Sequence, residues 1–480
     1  MSQPLNHPIS THPYSLNYLP NIGGDNIVHA DIDTMLGVLR QMLTTERPAV
    51  AAPDNIQTLT QQIEQMVGET ITADGIGIDS ALKVFVSLLA RQGIPSDHPN
   101  YLAYIGASPT PSAVLMDSLL SATGMVGSGW IAGAGLIWAE NQVLRWLADL
   151  VGLSEQAGGC FVAGGTAGNL SVLVAARHRF RQRFPQYKQS LLLVAESAHS
   201  SIANCAALLD LTMINVACND EGRVTAAALS AQLALLAAEG KLDNIVAIVA
   251  TAGATNSGQI DDLEGIGVIA RQRGIWFHVD AAYGGAFLCV PEMRYRFNGI
   301  ALADSVIIDP HKGLFAPYDC CALLYAHPMG VMPAFIQNAS YLDQVNTSHE
   351  WNPMHYAFHL TRRARGVPLW FSLAIHGRDA YTRSLARILE ITDALRQRIA
   401  QHPELLLIEA SSLSIILFKR RSWQPQHYSS WLEYCLEKGI AFIAPSQWQG
   451  ESVIRLCIMS TRLEDTQIDI LLESLATYPG

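Results

Sequence analysis

The chain has 480 residues, 31 basic and 42 acidic, for a formal charge of −11, with 49% apolar and 15% charged residues. Such a composition buries a large core and excludes a disordered chain. The acidic balance argues against a nucleic-acid partner, because phosphate backbones need clustered lysine and arginine.

At this length two or three folding units are expected. Residues 1–20 have neither the basic start nor the apolar core of a signal peptide, and no apolar run approaches the ~20 residues of a membrane span. Eight scattered cysteines without a C-x-x-C spacing are neither a disulfide framework nor a zinc ribbon. A reduced, cytoplasmic protein with no membrane partner is the expectation.

In chain order, an irregular start with His7-Pro8, His12-Pro13 and Pro20 leads into helical patterns at residues 30–43 and 56–67, so 1–100 reads as a helical N-terminal segment. Residues 101–365 alternate helices (169–184, 226–239, 263–273) with short apolar runs at 191–195, 213–217, 245–250, 275–279, 305–308 and 321–325. Runs apolar on both faces are strands of a mostly parallel sheet covered by helices on both sides, an α/β fold. From 366 to 480 a long helix (369–401) precedes apolar runs at 405–410, 413–418, 441–444 and 453–459, with helices at 427–438 and 464–477. This is a smaller C-terminal α/β unit with an antiparallel sheet.

Several motifs fail. Gly133-Ala-Gly135 lacks the third glycine of a dinucleotide loop, and neither G-x-S-x-G nor Gly-Lys-Ser/Thr occurs. His355 and His359 are four apart, but without a glutamate after the first or a third ligand no metal is expected.

Four other segments carry chemistry, and the carboxyl ends of parallel strands would bring them to one edge. Gly164-Gly165-Thr166 opens a helix, where backbone N–H groups and the helix dipole suit an anion. Glu196-Ser-Ala-His199 follows the strand 191–195. His278-Val-Asp280-Ala-Ala282-Tyr283 ends a strand in a carboxylate, which is costly there without a cationic partner. Asp309-Pro310-His311-Lys312 follows the strand 305–308, and a desolvated lysine there is expected to lose basicity and form an imine. A lysine for a Schiff base, an anion site, an aspartate for a pyridine nitrogen and a histidine to lie against a ring are together the protein's tasks for pyridoxal 5'-phosphate.

The sequence resembles the group II pyridoxal-phosphate-dependent amino acid decarboxylases, the family of aromatic amino acid and glutamate decarboxylases, from about Tyr101 to Arg462. The resemblance implies the fold type I architecture, with a seven-stranded sheet in the large domain, and a homodimer embraced by the N-terminal helices. It implies Lys312 as the imine-forming lysine, Asp280 as partner of the ring nitrogen and His199 as the stacking histidine. Gly164, Gly165, Thr166, Asp309 and His311 would surround the phosphate, and Thr251 and Ala282 would line the ring. Tyr341 matches a mobile-loop tyrosine that returns a proton after decarboxylation. Thr361-Arg362-Arg363-Ala-Arg365 matches an Arg-rich stretch before the small domain. Departures are Ala167 in place of an acidic residue, a single acid in the segment ending at Glu140, and Gly313 after the lysine.

The expected reaction is α-decarboxylation of an L-amino acid to the amine and carbon dioxide, with an aromatic side chain slightly preferred. Tyr101, Tyr104 and Trp130 are candidates for an aromatic pocket, and equally for core or interface packing. The rivals are another pyridoxal reaction (aldehyde-forming deamination, transamination or carbon–carbon cleavage) and a non-catalytic relative. Relatives that form aldehydes tend to have phenylalanine at the position of Tyr341.

Overall fold

The computed structural model describes residues 29–186 and 189–479. The irregular start around His7, His12 and Pro20 lies outside the described residues.

Helices α1 (His29–Thr44), α2 (Ile56–Val67) and α3 (Ile78–Ser87) lead into α4 (Pro111–Ala122), started by a Thr110 side-chain cap and a proline, and then α5 (Trp130–Val151). The α/β core follows: β1 (Gly158–Val162), α6 (Gly164–Arg183), β2 (Leu191–Ala195), α7 (Ser200–Leu208), β3 (Thr212–Val216), α8 (Ala226–Ala238) and β4 (Ile245–Thr251). It continues through α9 (Leu263–Arg273), β5 (Trp276–Asp280), β6 (Ser305–Ile308), the one-turn α10 (Pro310–Gly313) and β7 (Cys321–Tyr325). These strands form one seven-stranded sheet in the order β1-β7-β6-β5-β4-β2-β3, in which only the pairings of β7 are antiparallel.

Side-chain alternation explains why both faces are covered. Leu191, Leu193 and Ala195 of β2 point into a core shared with α5, α8 and α9, while Leu192 and Val194 point into a second core under α6 and α7. Gly168 lets α6 approach closely, since a Cβ there would sit 2.9 Å from Ile307 Cγ2.

After α11 (Asp343–Asn346), the chain forms α12 (Val367–His376) and α13 (Arg378–Gln401), then β8 (Leu405–Ile408), β9 (Ile415–Arg420), α14 (Pro425–Glu437), β10 (Ser446–Trp448), β11 (Glu451–Cys457) and α15 (Asp465–Thr477). The second sheet is antiparallel throughout, in the order β10-β11-β9-β8. The single long helix expected over 369–401 is two helices, broken at Gly377, whose φ of +74° is left-handed backbone that glycine adopts without penalty. The run 441–444 is not a strand; it contributes one bridge, Phe442 to Tyr101.

A buried ion pair joins two distant segments. Arg362 Nη1 and Nη2 donate to the two carboxylate oxygens of Glu140 on α5, each at 2.6 Å, with 0% and 2% of the two side chains exposed. Arg362 also donates to the Gly127 carbonyl, and Glu140 accepts the Gly366 N–H. The Arg-rich stretch before α12 is thereby pinned beneath the large sheet's helices.

Candidate active site

The carboxyl ends of β1, β4, β5 and β6 open on one cavity of about 240 Å³. Its lining contains Gly164, Gly165, Thr166, His199, Thr251, Asp280, Ala282, Asp309, His311 and Lys312, so all ten residues expected to hold the cofactor face the same space. Tyr341 is not among them: it stands 74% exposed on the turn Ser340–Leu342 just before α11. Tyr101, Tyr104 and Trp130 do not line the cavity either. Tyr101 and Tyr104 pack edge-on against Phe442, and the backbone N–H of Trp130 donates to Asn352 Oδ1.

Each wall has a local cause. Gly164 takes a φ of +77° as β1 turns into α6, and a Cβ on Gly165 would approach Asp309 Oδ2 to 3.1 Å. No side chain caps the amino end of α6, so its first amides remain open for an anion. His199 caps α7, its Nδ1 accepting the Ser201 N–H. Asp261 receives the backbone N–H of Thr251 at 2.7 Å and fixes the end of β4. Thr251 Oγ1 is buried without a hydrogen-bond partner, a polar atom suited to a polar ligand. An open helix start, a glycine cradle, an orphaned hydroxyl, a buried carboxylate and one amine fit a phosphorylated pyridine aldehyde.

Lys312 Nζ lies 3.0 Å from Asp309 Oδ2. Burial pulls its ammonium down, but Asp309 and then Asp280 outweigh burial, so the net displacement is upward. The sequence expectation of lost basicity is therefore corrected: two carboxylates at the same strand edge overcompensate desolvation. His311 is displaced downward by burial, in spite of Asp309, and its Nδ1 lies 2.7 Å from the Cys320 carbonyl oxygen and 3.1 Å from the Cys320 amide nitrogen.

Residues that the sequence reading gave no role complete the site. Asn169, Ser201, Thr255 and Tyr283 line the cavity. Tyr318 tilts against the His311 ring with centroids 5.1 Å apart. Asn169 lies one helical turn beyond Thr166, a spacing from which its direction could have been read.

Two histidines give the protein a directed acid sensitivity. Burial pushes His278 down to about 4, against the pull of Asp280, and pushes His359 down to about 4 with help from Arg362 and Arg365. Below the ordinary value of 6.5 the unfolded chain takes up protons that the folded chain refuses. The stability contribution is thus complete above that value and is lost progressively as pH falls toward about 4, by up to about 3 kcal/mol per group. Urea midpoints should drop clearly between pH 7.5 and pH 5; equal midpoints would contradict this origin.

Comparison with known proteins follows the same lines. Residues 80–421 match the family model described as the pyridoxal-dependent decarboxylase conserved domain. The L-2,4-diaminobutyrate decarboxylase of Rhizobium meliloti is 29% identical over 84% of this chain and 82% of that protein, and the aromatic-L-amino-acid decarboxylase of Bacillus atrophaeus is 25% identical over 79% and 82%. The Oryza sativa enzyme TDC, solved with PLP and tryptamine, superposes with a TM-score of 0.84 at 19% identity, over 93% of this chain and 96% of that one. The chain belongs to the pyridoxal-dependent decarboxylases, carboxy-lyases that act on amino acids with pyridoxal phosphate.

Proposed function

We propose that the chain removes the α-carboxylate of an L-amino acid as carbon dioxide and releases the amine, with a slight preference for an aromatic side chain. The observation that carries this reading is the convergence of Lys312, Asp280 and His199 on one cavity at the end of the parallel sheet. Pyridoxal phosphate, when bound, supplies a carbonyl that condenses with amines and a protonated ring that accepts the electron pair left by the departing carboxylate.

The chain's own residues do the rest. Lys312 Nζ is the amine that anchors the group, and Asp309 Oδ2 stands in range to take up and return its proton. Asp280, with Oδ1 accepting the Ala282 N–H, holds a proton on the ring nitrogen by presenting an anion to it. The open amides of α6 and Thr166 hold the phosphate. His199 would lie against the ring, and Thr251 and Ala282 would flank it. Tyr341 delivers a proton to the substrate α-carbon, and by the family resemblance its exposed mobile loop reaches the neighbouring subunit's site to do so.

Aromatic preference is supported by the ring cluster at the edge of the site. Tyr318 leans on the cavity-lining His311, with ring centroids 5.1 Å apart. A diaminobutyrate substrate is the second reading, favoured by the Rhizobium relative.

A homodimer is supported by uncovered apolar faces among the described residues. No residue of α2 is buried, and Met35 and Leu36 on α1, Leu119 on α4 and Ile131 on α5 are all exposed. Eight unpaired cysteines agree with a reducing, cytoplasmic setting, and no helix among the described residues is long and apolar enough to cross a membrane.

One experiment addresses substrate, product and assembly. Wild type and Tyr341→Phe are offered twenty L-amino acids plus 2,4-diaminobutyrate over a range of enzyme dilutions, with carbon dioxide, amine and aldehyde all measured. We expect amine from an aromatic substrate, an increased share of aldehyde in the variant and specific activity that falls on dilution. Release of carbon dioxide from diaminobutyrate alone would transfer the assignment to the second reading. A dilution-independent activity from a monomer would remove the dimer.

A further inference from the structure

Behind the cavity a chain of hydrogen bonds crosses four structural elements, and the contact of Asn169 with a carboxylate sets the direction of its central bonds. Trp276 Nε1 is a donor only, and it gives its hydrogen to Ser305 Oγ at 2.9 Å. The Ser305 hydroxyl is then free to donate to His278 Nδ1 at 3.0 Å. His278 is fully buried, and its Nδ1 lies near both the Ser305 hydroxyl at 3.0 Å and the Ser305 carbonyl at 3.1 Å, while its Nε2 faces Asn169 Oδ1, an acceptor, at 2.9 Å. The opposite amide orientation is ruled out, because it would press Asn169 Oδ1 against a carboxylate oxygen. Asn169 Nδ2 therefore spends its two hydrogens on Asp280 Oδ2 at 2.9 Å and Ser201 Oγ at 3.0 Å. Ser201 in turn donates to His199 Nδ1 at 2.9 Å, which leaves the His199 proton on Nε2.

We infer that Asn169 is a positioning residue for the reaction, a fork that holds the Asp280 carboxylate aimed into the cavity while its second branch tethers His199. This inference rests on the reading of Asp280 proposed above.

The physical need is specific. Asp280 is 7% exposed, so its carboxylate depends on donors within the site for its hydrogen bonds and its orientation. No cationic side chain among the described residues forms an ion pair with it. Beyond the more distant charge of Lys312, its direct hydrogen-bond support is two neutral donors, the Ala282 amide on Oδ1 and Asn169 on Oδ2. Removing one of the two frees the carboxylate to turn away from the direction in which it must meet the ring nitrogen. Asn169 can serve because its own oxygen is already occupied by His278, which prevents the amide from turning over. Trp276 and Ser305 act further back, by holding the His278 ring in place.

The test uses Asn169→Ala, the isosteric Asn169→Asp, Asp280→Asn and the double variant Asn169→Ala/Asp280→Asn. For each, the dissociation constant of pyridoxal phosphate is measured by fluorescence titration of protein stripped of cofactor, with kcat and KM measured after saturation and folding checked by thermal midpoint. Losing a partner of a site group typically costs about 10–100-fold, so Asn169→Ala should weaken cofactor binding and lower kcat within that range while KM stays nearly unchanged. Asn169→Asp should do at least as much, because two carboxylates in contact must share a proton. On the Asp280→Asn background the effect of Asn169→Ala should largely vanish, as expected for a residue acting through Asp280.

Wild-type cofactor affinity and kcat in folded Asn169→Asp would overturn the inference, and so would full additivity in the double variant. If Asp280→Asn alone left both parameters unchanged, the assignment of Asp280 itself would fall, a result distinct from failure of Asn169.

Discussion

Replacing Lys312 by alanine should lower turnover on the order of 10³-fold or more and abolish covalent retention of the cofactor after borohydride reduction. Lys312 is the sole lysine on the cavity wall, so no neighbouring amine can take its place. The variant also strips the buried Asp309 of its ammonium partner at 3.0 Å. Folding should survive, because the lysine side chain keeps about a fifth of its surface exposed. Added methylamine offers a diagnostic second reading: a small amine that enters the cavity should restore part of the turnover if the missing group is an amine alone. Mass spectrometry of the reduced protein gives the direct answer. A cofactor adduct persisting in Lys312→Ala would move the anchor elsewhere and remove the chemical basis of the site.

Arg362→Ala is expected to have the largest effect on stability, a loss of about 3–5 kcal/mol. The cost arises from what remains rather than from the bond removed. Glu140 would stay buried on α5 as an uncompensated carboxylate, and the Gly127 carbonyl would lose its donor. Removing both charges together, as Glu140→Leu with Arg362→Met, should cost far less, since desolvating an ion pair offsets much of its Coulomb attraction. Urea unfolding of the single and double variants reads the difference through the midpoint at constant slope. Equal losses in the single and the double variant would show that packing, not charge, matters at this position.

Much of the fold is legible in the sequence because both-sided burial produces unbroken apolar runs. Leu191–Ala195, Ser305–Ile308 and Cys321–Tyr325 read as strands and are strands with the same ends. β1 escaped because it begins Gly158-Gly159-Cys160, where β-propensity is low. Tertiary contact explains those glycines: a Cβ on Gly158 would strike the Trp351 indole, and one on Gly159 would overlap the Leu323 carbonyl. α6 starts at Gly164, five residues before its apolar pattern, because the glycine turn continues directly into helix.

The candidate site was legible for a different reason. Its residues are strung in short motifs at strand ends, so the motif and the wall of the cavity coincide. Asn169 was passed over because its importance depends on His278 and Asp280, more than a hundred residues away in sequence and adjacent only across the sheet. The basicity of Lys312 was misjudged for the same reason: sequence reports its burial, while its proximity to Asp280 is a property of the folded edge.

The Glu140–Arg362 pair also bears on the order in which the protein can be made. Its partners are 222 residues apart along the chain, and at ribosomal speeds of about 5–20 residues per second the cation follows the anion by roughly 10–45 seconds. β1 meets the same delay on a shorter scale, since both its neighbour β7 and that strand's partner β6 are translated well after it. For that interval α5 carries a carboxylate destined for burial and β1 exposes an unpaired edge, so the first-made part of the cofactor domain cannot close until nearly the last of it has left the ribosome.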